Sequence, residues 1–251
     1  ELGSDKSLYS NDKFKNLLDD SEDMKEMIEV IRHTDMSVEH IRGYYMSNSD
    51  KWFDITFART HWVDGREVRL ATVFDVTDSK RYEHTLGVEY TAAALAMRYG
   101  ASIKNAQIAG LLHDCAKCIS DEKRISICEK HHMPISEVER RNPSLLHPKA
   151  GSIIAAEEYG VTDPDVIHAI LNHTTGRPEM SLLEKIVFVA DYIEPGRSTA
   201  PGLDEIRPLA FIDLNKALVR ILQDTLKYLE QKNAEIDPMT LTTLQFYAPK
   251  V

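Results

Sequence analysis

Leu111-Leu112-His113-Asp114-Cys115-Ala116-Lys117 places a histidine and an aspartate side by side at the end of an apolar run, with a lysine three residues beyond the aspartate. Ile108-Ala109-Gly110 extends the run upstream. Residues 106–117 therefore read as a helix that is apolar nearly all round, which is the mark of a buried one. An unpaired carboxylate at the end of a core helix is costly, and a bound cation removes that cost. Neighbouring helical residues project about 100° apart, so His113 and Asp114 can bend toward one ion along a shared edge. An imidazole nitrogen beside a carboxylate oxygen suits a borderline or hard divalent metal.

Working outward, four more side chains share this setting: His84 upstream, then His147, His173 and Asp191 downstream. Each lies at a helix end or loop junction, and the gaps between them let a helix leave and return. Four histidines and two aspartates fit two ions bridged by a carboxylate and a hydroxide. His131, His132 and His168 read as ordinary core or surface histidines.

The 251 residues are enough for one large domain or two modest ones. The net charge of −10 argues against a nucleic acid or an anionic membrane held by bulk electrostatics. It leaves room for a small anionic ligand, because a metal reverses the local field. No apolar run approaches the roughly 20 residues of a membrane span. The three cysteines, Cys115, Cys118 and Cys128, form no disulfide framework and fit a reducing cytoplasm. Cys115-Ala116-Lys117-Cys118 has redox or zinc-motif spacing, but there is no second cysteine pair, so the thiols read as small core residues.

Residues 1–78 read as an α+β segment. A solvated acidic helix start (19–23) leads into a helical apolar pattern (24–32). Strands follow at 41–47, 51–63 and 67–76, the last two joined by an Asp64-Gly65 hairpin turn. Leu8-Tyr9-Ser10-Asn11-Asp12, Trp52-Phe53-Asp54-Ile55-Thr56 and Val73-Phe74-Asp75-Val76-Thr77-Asp78 resemble parts of a PAS sensory domain. That implies a contact or homodimerisation module, or a small-molecule sensor. Residues 79–251 read as mainly helical. Helices are expected at 121–130, 134–140, 149–159, 165–173 and 181–191, with a long amphipathic helix at 209–231 and a short one at 238–247.

Six blocks in order carry a more specific resemblance. They are Arg81-Tyr82-Glu83-His84; His113-Asp114-Cys115-Ala116-Lys117; His147-Pro148-Lys149; His173-Thr174-Thr175-Gly176-Arg177; Ala190-Asp191-Tyr192-Ile193-Glu194-Pro195-Gly196-Arg197; and Gly202-Leu203-Asp204. Over about residues 78–248 they resemble the YqeK-like branch of the HD phosphohydrolase superfamily. The resemblance implies an all-helical bundle with a di-iron centre that cleaves diadenosine tetraphosphate (Ap4A) symmetrically into two ADP. It further implies His84, His113, Asp114, His147, His173 and Asp191 as metal ligands. The ligand chemistry itself also admits manganese, zinc or nickel.

A metal-bridging hydroxide would attack an inner phosphorus, with Asp114 and Lys117 as the catalytic positions. Arg81, Thr174, Thr175, Gly176, Arg177, Tyr192 and Arg197 are the candidate contacts for a dinucleoside polyphosphate or an ADP- or GDP-like nucleotide. The competing readings are a nucleotide-responsive signalling module without turnover and an HD phosphodiesterase acting on another nucleotide.

Overall fold

The structure, a computed structural model, describes residues 21–46, 48–61 and 67–251. The expected strand at 8–12 and the Asp64-Gly65 turn lie outside them. The chain falls into two compact units, the first ending at Tyr82 and the second running Glu83–Val251. Among the described residues, no helix is long and apolar enough to cross a membrane.

In the first unit, helix α1 (Ser21–His33) precedes strands β1 (His40–Met46), β2 (Lys51–His61) and β3 (Glu67–Asp75). The strands pair antiparallel in the order β1-β2-β3. Alternation along β2 works as the sequence implies: Phe53, Ile55 and Phe57 turn inward and are buried with Met27 and Met46. A bulge interrupts the β1–β2 register between Ile41 and Tyr44. There Gly43 takes a left-handed φ of 62° and donates its N–H to Asp54 Oδ1 at 2.7 Å. The acidic helix start corrects one expectation. Asp23 is fully buried, because it lies one turn before Met27 and shares its inward face.

Helix α2 (Thr77–Tyr99) opens at the end of the first unit and carries His84 into the second. Its inward stripe is Val88, Ala92, Leu95 and Ala96, none of them exposed. The chain turns at Gly100, and Ser102 caps α3 (Ile103–Leu112), its side chain accepting from the Asn105 N–H. α4 (Asp121–Lys130), α5 (Glu137–Arg141), a 3₁₀ turn (Pro143–Leu146) and α6 (His147–Glu157) follow. The remaining helices are α7 (Pro164–Asn172), α8 (Leu182–Ile193), α9 (Leu203–Ile212), α10 (Leu214–Gln231) and α11 (Pro238–Tyr247). One apolar core joins α2, α3, α7, α8, α9 and α10.

Most helix ends fall within about three residues of the sequence reading, and two boundaries differ by more. α3 ends at Leu112, not at Lys117, and residues 113–118 continue as turns. These are closed by Cys115 N–H to Leu112 O and Lys117 N–H to Asp114 O. The expected helix at 209–231 is two helices, broken at Asp213, whose extended backbone caps α10 by accepting from the Asn215 and Lys216 N–H groups. Uninterrupted periodicity masks this break, because the apolar face continues across it.

α2 and α3 cross closely at Gly110. A Cβ there would stand 2.9 Å from the Glu89 Cα and 3.2 Å from the Val88 carbonyl carbon. Backbone cannot yield as a side chain does, so Gly110→Ala must push the helices apart. Overpacking of this kind costs about 1–3 kcal/mol. Urea unfolding should show a lowered midpoint with an unchanged slope.

Candidate metal centre

Five elements deliver the six candidate ligands: α2 brings His84, the end of α3 brings His113 and Asp114, α6 opens on His147, α7 is followed by His173, and α8 carries Asp191. His113 is fully buried, and His147 and His173 are nearly so.

Their tautomers follow from their partners. Nδ1 lies 2.7 Å from a backbone carbonyl in each of three rings: His113 on Gly110, His147 on Ser144 and His173 on Ile170. A carbonyl only accepts, so each Nδ1 is protonated and donating. In the neutral ring, Nε2 is then a bare lone pair. Each of these carbonyls lies three residues before its histidine, where the helix or turn leaves it without an i+4 partner. Backbone geometry therefore sets each ring before any ligand arrives.

Those lone pairs converge. His147 Nε2 and His173 Nε2 stand 3.2 Å apart, and Asp114 Oδ1 lies 3.3 Å from the first and 3.5 Å from the second. On the other side, Asp114 Oδ2 is 3.5 Å from His113 Nε2 and 4.0 Å from His84 Nε2. Asp191 Oδ1 completes that side, 3.1 Å from His84 Nε2 and 3.8 Å from His113 Nε2. Ligands about 2.0–2.2 Å from a shared ion sit about 3.0–3.4 Å from one another, so these spacings suit coordination. His84 Nε2, His113 Nε2 and Asp114 Oδ1 are buried with no hydrogen-bond partner. Two triads, His84–His113–Asp191 and His113–Asp114–His173, each bring their donor atoms within 4.8 Å.

Electrostatics sharpen the picture. Burial lowers the His113 pKa to about 4. Burial and the nearby His173 lower that of His147 to about 3. Neither ring will take a proton to relieve the crowding of lone pairs. Burial also opposes charge on Asp114, but His113 and Lys117 outweigh it and hold the carboxyl well below its usual range. Asp191 is likewise lowered, burial being overcome by Arg197 and His84. His84 differs: burial works against its charge, yet Asp191 and Glu194 raise its pKa to about 9.

Two cations flank the carboxylates. Lys117 Nζ is 2.9 Å from Asp114 Oδ2, and Arg197 Nη2 is 2.7 Å from Asp191 Oδ1. Both side chains are about one third exposed, at 37% and 33%, so they can also meet a ligand. Thr174 Oγ1 lies 3.3 Å from His147 Nε2. Thr175 bonds the Gly176 carbonyl.

Three further candidates are engaged elsewhere. Arg81 pairs with Asp50 at 3.1 Å in the first unit. The Tyr192 hydroxyl donates to the Pro201 carbonyl at 2.9 Å. Arg177 is bidentate on buried Glu184, with both contacts at 2.7 Å, and the same carboxylate caps α8 through the Ser181 N–H. Removing Arg177 takes the cationic partner from a buried carboxylate that keeps only the neutral donors Ser181 N–H and Asn172 Nδ2. Arg177→Met should cost about 2 kcal/mol, less than the roughly 3–5 kcal/mol of a fully buried pair because the guanidinium is partly exposed. Thermal unfolding would register the loss.

The sequence reading missed Glu194 as part of the site. Its Oε1 is 3.1 Å from His84 Nδ1, and it is almost wholly buried. It falls in a Pro/Gly-rich stretch that reads as a loop, with no periodicity to mark an inward carboxylate. The thiol of Cys115 bonds the Gly151 carbonyl at 3.5 Å, and burial pushes its pKa up to about 11, far from a reactive thiolate.

A helical domain gathering one His-Asp doublet with three outlying histidines and a distant aspartate defines a metal-dependent HD domain, and the HD domain family model matches residues 81–196. The Bacillus subtilis (strain 168) protein named "Bis(5'-nucleosyl)-tetraphosphatase, symmetrical" is 44% identical over 178 residues, covering 71% of this chain and 95% of that protein. A Staphylococcus aureus (strain NCTC 8325 / PS 47) protein of the same name is 37% identical, over 67% of this chain and 87% of its own length. Among solved structures, a "predicted HD superfamily hydrolase involved in NAD metabolism" from Clostridium acetobutylicum superposes with a TM-score of 0.66 at 45% identity. It covers 68% of this chain and 90% of that one. The chain belongs to the HD-domain family, in the branch of the symmetrical bis(5'-nucleosyl)-tetraphosphatases.

Proposed function

We propose that the second unit is a divalent-metal phosphohydrolase that cleaves diadenosine tetraphosphate symmetrically into two ADP. One observation carries the metal part: the two oxygens of Asp114 face different nitrogen sets, His147 with His173 and His84 with His113. A histidine lone pair serves one ion, whereas a carboxylate serves two. His84, His113 and Asp191 with Asp114 Oδ2 would hold one cation. His147 and His173 with Asp114 Oδ1 would hold the other. The substrate class is supported by the names of relatives that this chain matches along nearly their whole length.

A divalent pair supplies Lewis acidity toward phosphoryl oxygens and toward the attacking water. The chain's own residues do the rest. Asp114 fixes the spacing of the two ligand sets. Lys117 and Arg197, already on the ligating carboxylates, add positive charge where polyphosphate oxygens arrive, so charge that builds on phosphorus is met by preset partners. Water oxygen adds to one inner phosphorus as its protons pass to solvent, the bond from that phosphorus to the central bridging oxygen breaks, and its electron pair leaves with the second ADP. ADP departs as a stable anion, so no strong general acid is required.

Iron is the proposed metal, with manganese, zinc or nickel as chemically admissible substitutes, and a reducing cytoplasm is the proposed setting. The first unit is proposed as a PAS-like contact or homodimerisation module, a reading supported by its antiparallel meander over a small apolar core.

The test is a product assay on Ap4A with each of the four metals. ADP as the sole nucleotide product supports the reading. ATP plus AMP contradicts symmetric attack. Binding without turnover under every metal would favour a nucleotide-responsive module.

A further inference from the structure

We propose that Glu194 is a positioning residue for the metal centre, holding His84 in the tautomer and orientation that aim Nε2 at Asp191 and Asp114. The inference rests on the two-metal reading above. His113, His147 and His173 each have their own backbone carbonyl on Nδ1, three residues upstream. His84 cannot be served in this way. It lies inside α2, where the carbonyls behind it belong to the helical ladder. Its Nδ1 meets a carboxylate from 110 residues away.

The chain around Glu194 is shaped to deliver that carboxylate. Glu194 caps α8 with an extended ψ of 148°, which turns the following residues out of the helix and brings the Gly196 N–H within reach of its carboxylate. Its Oε2 accepts the Gly196 N–H at 2.5 Å, leaving Oε1 for His84. Room is made on the opposite helix by Gly87, one turn after His84, where a Cβ would come within 2.5 Å of Oε2. A Cβ at Gly196 would come within 3.0 Å of the same atom. Glycine in a helix interior costs about 1 kcal/mol relative to alanine, and the Glu194 carboxylate is what occupies the space at Gly87. The strand of chain carrying it is pinned by Arg207, which donates to the carbonyls of Ile193, Glu194 and Arg197 at 2.7–3.0 Å. A carboxylate on the far nitrogen of a ligating imidazole fixes the ring and raises its basicity, and its loss typically weakens metal affinity 10–100-fold.

Titration of the metal-stripped protein with Mn²⁺, followed by the electron paramagnetic resonance signal of the free ion, separates the possibilities. Wild type is expected to bind two ions. Glu194→Gln, which keeps an acceptor oxygen without the charge, should weaken one of them about tenfold; Glu194→Ala should weaken it up to about 100-fold, with the other ion unchanged. Gly87→Ala, which touches neither ion, should reproduce the Glu194→Ala defect by displacing the carboxylate, and the two changes combined should add little. Unaltered Mn²⁺ affinity in folded Glu194→Gln and Gly87→Ala, while His84→Ala loses an ion, would overturn the assignment to Glu194. Two ions still bound by His84→Ala would instead overturn the metal reading beneath it.

Discussion

Asp114→Asn lowers turnover of Ap4A by about 10³-fold or more and reduces bound metal from two ions to at most one. Asparagine keeps the shape but offers one neutral oxygen where the carboxylate offers two charged ones. The Oδ1 side, shared with His147 and His173 at 3.3 and 3.5 Å, and the Oδ2 side, 3.5 Å from His113, can no longer both be served. Metal stabilisation of transition-state charge is worth several kcal/mol, and each 1.36 kcal/mol is a factor of ten in rate. Lys117 also loses the carboxylate it contacts at 2.9 Å. Steady-state kinetics alongside elemental analysis of the purified variant checks both halves. Turnover within tenfold of wild type would remove Asp114 from the mechanism.

Chelation is the second large effect. Stripping the metal abolishes hydrolysis and lowers Tm by about 5–10 °C, and adding back a divalent cation restores both. The Nε2 atoms of His147 and His173 oppose each other at 3.2 Å within a buried site, an arrangement that a cation between them would stabilise. A ligand at about 100 times its Kd adds about 2.7 kcal/mol of stability, and 1 kcal/mol moves Tm by about 2–4 °C in a domain of this size. Differential scanning calorimetry with and without chelator reads the shift. An unchanged Tm would mean that the rings are packed against each other for structural reasons alone.

The convergence of the six side chains was legible where chemistry and local pattern coincide. An aspartate that ends an apolar helical run has few affordable fates, which is why Asp114 and Asp191 stood out. His147 and His173 gained meaning from the junctions they occupy, whereas His84 lies inside α2 and not at its edge. Glu194 was hidden because its role depends on a contact 110 residues distant, and its neighbours Pro195 and Gly196 signal only a turn. The clue nearest to it was Gly87, an interior helical glycine whose purpose appears only once the opposing carboxylate is seen. Arg177 misled in the opposite direction. A lone arginine beside a histidine reads as a phosphate contact, while its true partner, Glu184, is seven residues on and across a turn. The helix break at Asp213 escaped because capping competes with periodicity and the apolar face runs through it. In the leading unit, strict alternation in β2 announced its buried face, whereas burial of Asp23 followed from its helical phase with Met27 and ran against its charge.

Two ions astride one carboxylate is the claim on which the chemistry stands. Crystals of the protein equilibrated with Mn²⁺ and measured for anomalous scattering test it in a single experiment. The expected map has two peaks, one between Asp114 Oδ1 and the His147–His173 pair and one among Asp114 Oδ2, His84, His113 and Asp191. A map with no peak within coordination distance of Asp114, or with the ions bound to other side chains, would contradict it.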